Sequence, residues 1–94
     1  MSSELRRIHV LVTGRVQGVG YRAYVQANAQ QLGVLGWVRN LPAGTVELVA
    51  QGPEAALTEL EDTLWAGPPL SKVADLHIET QPPEPDLKGF SVRH

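Results

Sequence analysis

The 94-residue sequence contains no cysteine, which removes disulfide staples, thiolate metal ligands and a thiol nucleophile together. It is also poor in aromatics, at 5%, and in positive charge. Eight Lys and Arg stand against ten Asp and Glu for a formal net charge of -2, so no global positive field gathers nucleic acid or an anionic membrane surface. Any anion site must therefore be local. No stretch approaches the roughly 20 apolar residues of a bilayer span. The N-terminal "MSSELRRIHVLV" has two arginines, but its apolar run is short, broken by His9 and followed by no small-residue cleavage site, which implies a cytoplasmic protein. Also missing are a P-loop lysine, acids at magnesium spacing and a Ser-His-Asp order. His9, His77 and His94 stand isolated on predicted strands or at the terminus, and each reads as a structural or surface histidine.

What is present is the balance of a globular chain, 43% hydrophobic and 19% charged, at a length that makes one small domain over residues 1–94. "RRIHVLVT" alternates, with Ile8, Val10 and Val12 on one face, as a half-buried strand does. "YRAYVQANAQQLG" sets Tyr21, Val25, Ala29 and Leu32 on one helical stripe and ends at Gly33, a natural C-terminal cap. "VLGWVRNL" and "TVELVAQG" are two strands joined by "LPAG" as a hairpin, with Val46, Leu48 and Ala50 alternating. "PEAALTELEDTLWAG" starts a second helix at Pro53 and aligns Leu57, Leu60 and Leu64, while Glu54, Glu59, Glu61 and Asp62 form a solvated face. "KVADLHIET", with Leu76 and Ile78 on one face, is a fourth strand, and "GFSVRH" offers Phe90 and Val92 to a short last strand or terminus. The order βαββαβ predicts an α+β, ferredoxin-like sandwich: a four- to five-stranded, mainly antiparallel sheet with two helices on one face.

One stretch carries chemistry. "GRVQGVGYR" puts three glycines between a strand and a helix, and its "GVGYRA" even satisfies the dinucleotide pattern G-x-G-x-x-G/A. That fingerprint needs a parallel strand-helix-strand unit and an acid about 20 residues on, where this chain has Asn40, so the nucleotide reading fails. A glycine turn leading into a helix is nevertheless an anion cradle, because its N–H groups converge and the helix start adds partial positive charge. Arg22, in the first helical turn, has the donor fork to grip a phosphate bidentately. On spacing alone Arg22 reads equally as a solvated helix-start arginine, and Asn40 as a turn former.

Taken together, "VTGRVQGVGYR", "LGVLGWVRNLPAGTVELVAQG" and the terminal "GFSVR" resemble the acylphosphatase family over nearly the whole chain. The resemblance implies a small ferredoxin-like monomer that hydrolyses the carboxyl-phosphate anhydride of acyl phosphates without metal or cofactor. It implies that the loop Arg15, Val16, Gln17, Gly18, Val19, Gly20 and Tyr21 binds the phosphoryl oxygens through its amides. Arg22 would grip the same oxygens and Asn40 would position the attacking water. Inorganic phosphate or sulfate would compete with substrate, and no nucleic-acid or membrane partner is implied. Two positions depart from the family pattern: Ala43 stands where the turn usually carries Asp, and Gly20 where a bulky residue is common. The alternative is a phosphate- or carbamoyl-phosphate-binding module of the same fold without hydrolase activity of its own. A chain ending at His94 favours the free-standing enzyme.

Overall fold

The computed structural model describes residues 5–94; residues 1–4, included in the single-domain and N-terminal expectations, lie outside the described residues. The chain runs β1 (Leu5–Arg15), α1 (Tyr21–Leu32), β2 (Leu35–Asn40), β3 (Val46–Pro53), α2 (Glu54–Ala66), β4 (Lys72–Gln81) and β5 (Phe90–Arg93). The strands form one sheet in the order β4-β1-β3-β2-β5. All neighbours pair antiparallel except β2 and β5, which run parallel. This is the expected α+β sandwich, with the terminal segment resolved as a fifth strand.

Alternation in the strands and the 3.6-residue period in the helices meet in one core. Ile8, Val10 and Val12 of β1, Val38 of β2 and Val46, Leu48 and Ala50 of β3 turn to the face that receives both helices, and all are buried. Tyr21, Val25 and Ala29 of α1 and Leu57, Leu60 and Leu64 of α2 close that layer from above. Each such aliphatic side chain contributes roughly 1.5–3 kcal/mol on burial, so this layer supplies most of the driving force for the fold. α1 stops at Gly33, where Gly33 N donates to Gln30 O and Val34 N to Ala29 O, and the buried Val34 completes the stop with an apolar contact. β4 is an edge strand. Its Leu76 is half-buried, whereas Ile78, expected on the same apolar face, is 37% exposed because it lies at the margin of the sheet.

The opposite face of the sheet is polar. Glu47 of β3 accepts from His9 Nε2 at 2.7 Å and from Arg39 Nε, and Trp37 lies beneath the guanidinium carbons of Arg93 and Arg39, 4.5 and 5.3 Å from its ring centroid. Burial alone would raise the Glu47 carboxyl, but hydrogen bonds from His9 and Arg39, with their charges, hold it below the usual carboxylate range. His9 is thus a member of an ion-pair cluster rather than isolated. The connection from β4 to β5 is pinned by Gln51, whose side chain donates to Glu84 O at 3.0 Å and accepts from Glu84 N at 2.7 Å. Gly36 N then bonds Gly89 O at 2.9 Å and delivers the chain to its place beside β2.

The topology gathers three strand ends. β1 and β2 are both antiparallel to β3 and therefore parallel to each other, and β5 runs parallel to β2. The C-terminal ends of β1, β2 and β5 consequently lie at one end of the sheet, where α1 begins.

Candidate active site

Register fixes where Asn40 stands. Asn40 and Val12 are both partners of Val46, on opposite sides of β3, so the end of β2 lies about 10 Å across the sheet from β1, two strand spacings away. Asn40 is two residues beyond the buried Val38 and so shares the helix-side face of the sheet. The loop leaving β1 crosses above this face and enters α1 at Gly20, whose φ of 78° is left-handed. A Cβ at Gly20 would meet no atom within 4 Å, so the room for the family's bulky residue exists, but the backbone conformation favours glycine. Gly20 O accepts the first helical bond, from Tyr24 N at 3.0 Å.

A cavity of about 310 Å³ opens between these ends. The loop contributes Val16, Gly18 and Gly20, α1 contributes Tyr21, Arg22 and Ala23, β2 contributes Asn40, and the C-terminal segment contributes Val92 and His94. Arg22 and Asn40 therefore line one cavity, although strand and loop separate them in sequence. Among the expected phosphate-loop residues, Arg15, Gln17 and Val19 do not line it. Arg15 is exposed at the end of β1 opposite Lys72, and Val19 packs against the core. Gln17 is half-buried and donates through Nε2 to Leu41 O at 2.8 Å and to Thr45 O at 2.9 Å.

The side chain of Tyr21 belongs to the core: its hydroxyl donates to Leu64 O at 2.8 Å, beneath the end of α2. Burial pushes the phenol far above its ordinary range, with Tyr24 adding to the shift, so it remains a donor. The half-buried Arg22 donates from Nη1 to His94 Nδ1 at 3.1 Å and to Arg93 O at 3.4 Å. His94 was expected to stand apart; β5 carries it to the cavity because it pairs in parallel with β2. Asn40 Oδ1 is buried and, among the described residues, is the one buried side-chain polar atom without a hydrogen-bond partner. Such an orphan acceptor costs about 1–3 kcal/mol, a penalty consistent with a group held ready for a ligand donor. Among the described residues no three His, Asp or Glu side chains are grouped to hold a metal ion.

The cavity thus combines one guanidinium, a bare loop at a helix start, the Asn40 residue and apolar walls from Ala23 and Val92. That set can bind a small oxyanion and orient a hydroxylic donor beside it.

Known proteins share this architecture. An acylphosphatase of Trichormus variabilis is 50% identical over 97% of this chain and 89% of its own. The crystal structure of acylphosphatase from Bacillus subtilis superposes with a TM-score of 0.91 at 37% identity, covering 97% of this chain and all of that one. An acylphosphatase structure from Coxiella burnetii gives 0.90 at 43% identity over 95% and 93% of the two chains. The Acylphosphatase family model matches residues 8–92, and the chain belongs to the acylphosphatase family.

Proposed function

We propose that this protein hydrolyses acyl phosphates to a carboxylate and inorganic phosphate by direct in-line attack of water, without a metal ion. The observation that carries this reading is the cavity that Arg22 and Asn40 line together; the Asn40 amide oxygen is itself buried and, among the described residues, unpaired. The phosphoryl oxygens would lie against the amides of the glycine loop and the start of α1, with Arg22 gripping them. The Asn40 carboxamide would hydrogen-bond the attacking water and hold its oxygen in line with the bond to the leaving carboxylate.

A strong base is not required. A carboxylate is a good leaving group and phosphoryl transfer passes through a loose transition state, so positioning and charge stabilisation carry most of the rate. Arginine and oriented amides supply both. The family names of the similar proteins support an acyl phosphate as the substrate class.

The test is release of phosphate from a simple aryl acyl phosphate by the purified protein, before and after exhaustive chelation, with inorganic phosphate and sulfate as inhibitors. The reading expects turnover that survives chelation and competitive inhibition by both anions. Binding of phosphate with no hydrolysis would identify a binding module, and a large loss on chelation restored by magnesium would overturn the metal-free route.

A further inference from the structure

Gln17 opens the glycine loop, yet its side chain reaches out of that loop to the β2–β3 turn. Its Nε2 is 2.8 Å from Leu41 O and 2.9 Å from Thr45 O. A primary amide nitrogen has two hydrogens and both neighbours are carbonyl oxygens, so the amide orientation is fixed and both donors are used. The same two carbonyls hold the turn together: Leu41 O also accepts from Gly44 N at 3.2 Å, and Thr45 O from Leu41 N at 2.8 Å. Asn40 immediately precedes this turn. The turn's own Ala43 has no polar side-chain atom to brace it, and Gly18 and Gly20 contribute no side chain that could tie the loop down.

We propose that Gln17 is a positioning residue that fixes the separation between the phosphate loop and Asn40, keeping the phosphoryl group and the attacking water in line. This role rests on the water-positioning function proposed above for Asn40. Gln17 does not line the cavity, so it acts through the turn and not on substrate. The phosphate contacts come from the loop amides and Arg22, on the near side of the strap, whereas Asn40 lies on the far side. Losing the strap therefore disturbs alignment for reaction more than it disturbs anion binding.

The test compares Gln17→Met, Asn40→Ala, the double variant and Gln17→Glu in the full chain, with an aryl acyl phosphate as substrate and inorganic phosphate as the competing probe. Gln17→Met keeps the length and removes both donors. It should lower kcat about ten- to a hundredfold, the scale of a misplacement near 1 Å, with phosphate inhibition within about threefold of the parent. In the Asn40→Ala background the same change should lower kcat by less than about twofold, because its effect is exercised through Asn40. Gln17→Glu turns a carboxylate on two carbonyl oxygens; as pH falls and it takes up a proton it regains one donor, so its kcat relative to the parent should rise toward acid. If Gln17→Met does not fold, this acid recovery alone decides, and a flat ratio overturns the role. Parental kcat in Gln17→Met beside a nearly inactive Asn40→Ala overturns the role of Gln17 alone, as does an equal loss in both backgrounds. Parental kcat in Asn40→Ala overturns the water-positioning function itself, and the Gln17 role with it.

Discussion

The Arg22 guanidinium is tethered by one corner: Nη1 donates to Nδ1 of His94 at 3.1 Å, while Arg93 O lies 3.4 Å from the same nitrogen. Donation to Nδ1 requires the imidazole to be neutral, with its proton on Nε2. Among the described residues Nε and Nη2 of Arg22 have no hydrogen-bond partner, so the side of the fork that can take two phosphoryl oxygens together is free.

Arg22→Lys should therefore lose kcat/KM by about a hundredfold or more, since a lysine ammonium reproduces neither the tether nor the bidentate grip. Circular dichroism and thermal midpoint should stay near the parent values. Activity close to the parent would demote Arg22 to a surface charge.

Tyr21 separates anchoring from binding. Its buried hydroxyl bonds Leu64 O, so Tyr21→Phe removes one buried hydrogen bond and should cost about 1 kcal/mol of stability. Inhibition by inorganic phosphate should not change, because the hydroxyl is directed to Leu64 O in the core. A weakened phosphate affinity with parental stability would place the phenol in the binding site.

Much of this was legible in the sequence because it depends on local rules. Alternation in "RRIHVLVT" and "TVELVAQG", the α1 stripe from Tyr21 to Leu32 and the Gly33 stop all follow from side-chain period and backbone freedom. The inward turn of Asn40 was equally available, since Val38 faces the core and the strand period is two, but on spacing alone asparagine beside "LPAG" reads as a turn former, and only the family resemblance assigns it the water. The roles of His94, Gln17 and the Tyr21 hydroxyl were not legible. Each depends on a partner set by sheet order or loop closure: β5 beside β2, the loop above the hairpin, α2 above α1. Exposure of Ile78 has the same origin, because periodicity identifies a face and not its distance from the sheet edge.

Glu47 gives a pH signature. Its carboxyl is held below the ordinary range, so it contributes stability at pH values above its unfolded value of about 4.3, and that contribution is lost as pH falls through the lower folded value. Glu47→Gln should accordingly be less stable than the parent near neutrality, by about 1–2 kcal/mol, because the bonds from His9 and Arg39 then end on a neutral amide in place of a carboxylate. The gap should close as pH falls through the lowered folded value. Thermal midpoints across this range check it, and a gap that widens toward acid would mean that Glu47 is not stabilised as the anion.

The most direct measurement is kcat for Asn40→Ala on an aryl acyl phosphate, taken with phosphate inhibition and thermal midpoint on the same protein. An amide that positions water acts mainly in the transition state, so the variant should be nearly inactive, bind phosphate much as the parent does and remain folded. It should also lose no stability, since removing an unpaired buried acceptor relieves a desolvation penalty. A folded Asn40→Ala protein with the parental kcat would contradict the account, leaving Asn40 as the end of a strand.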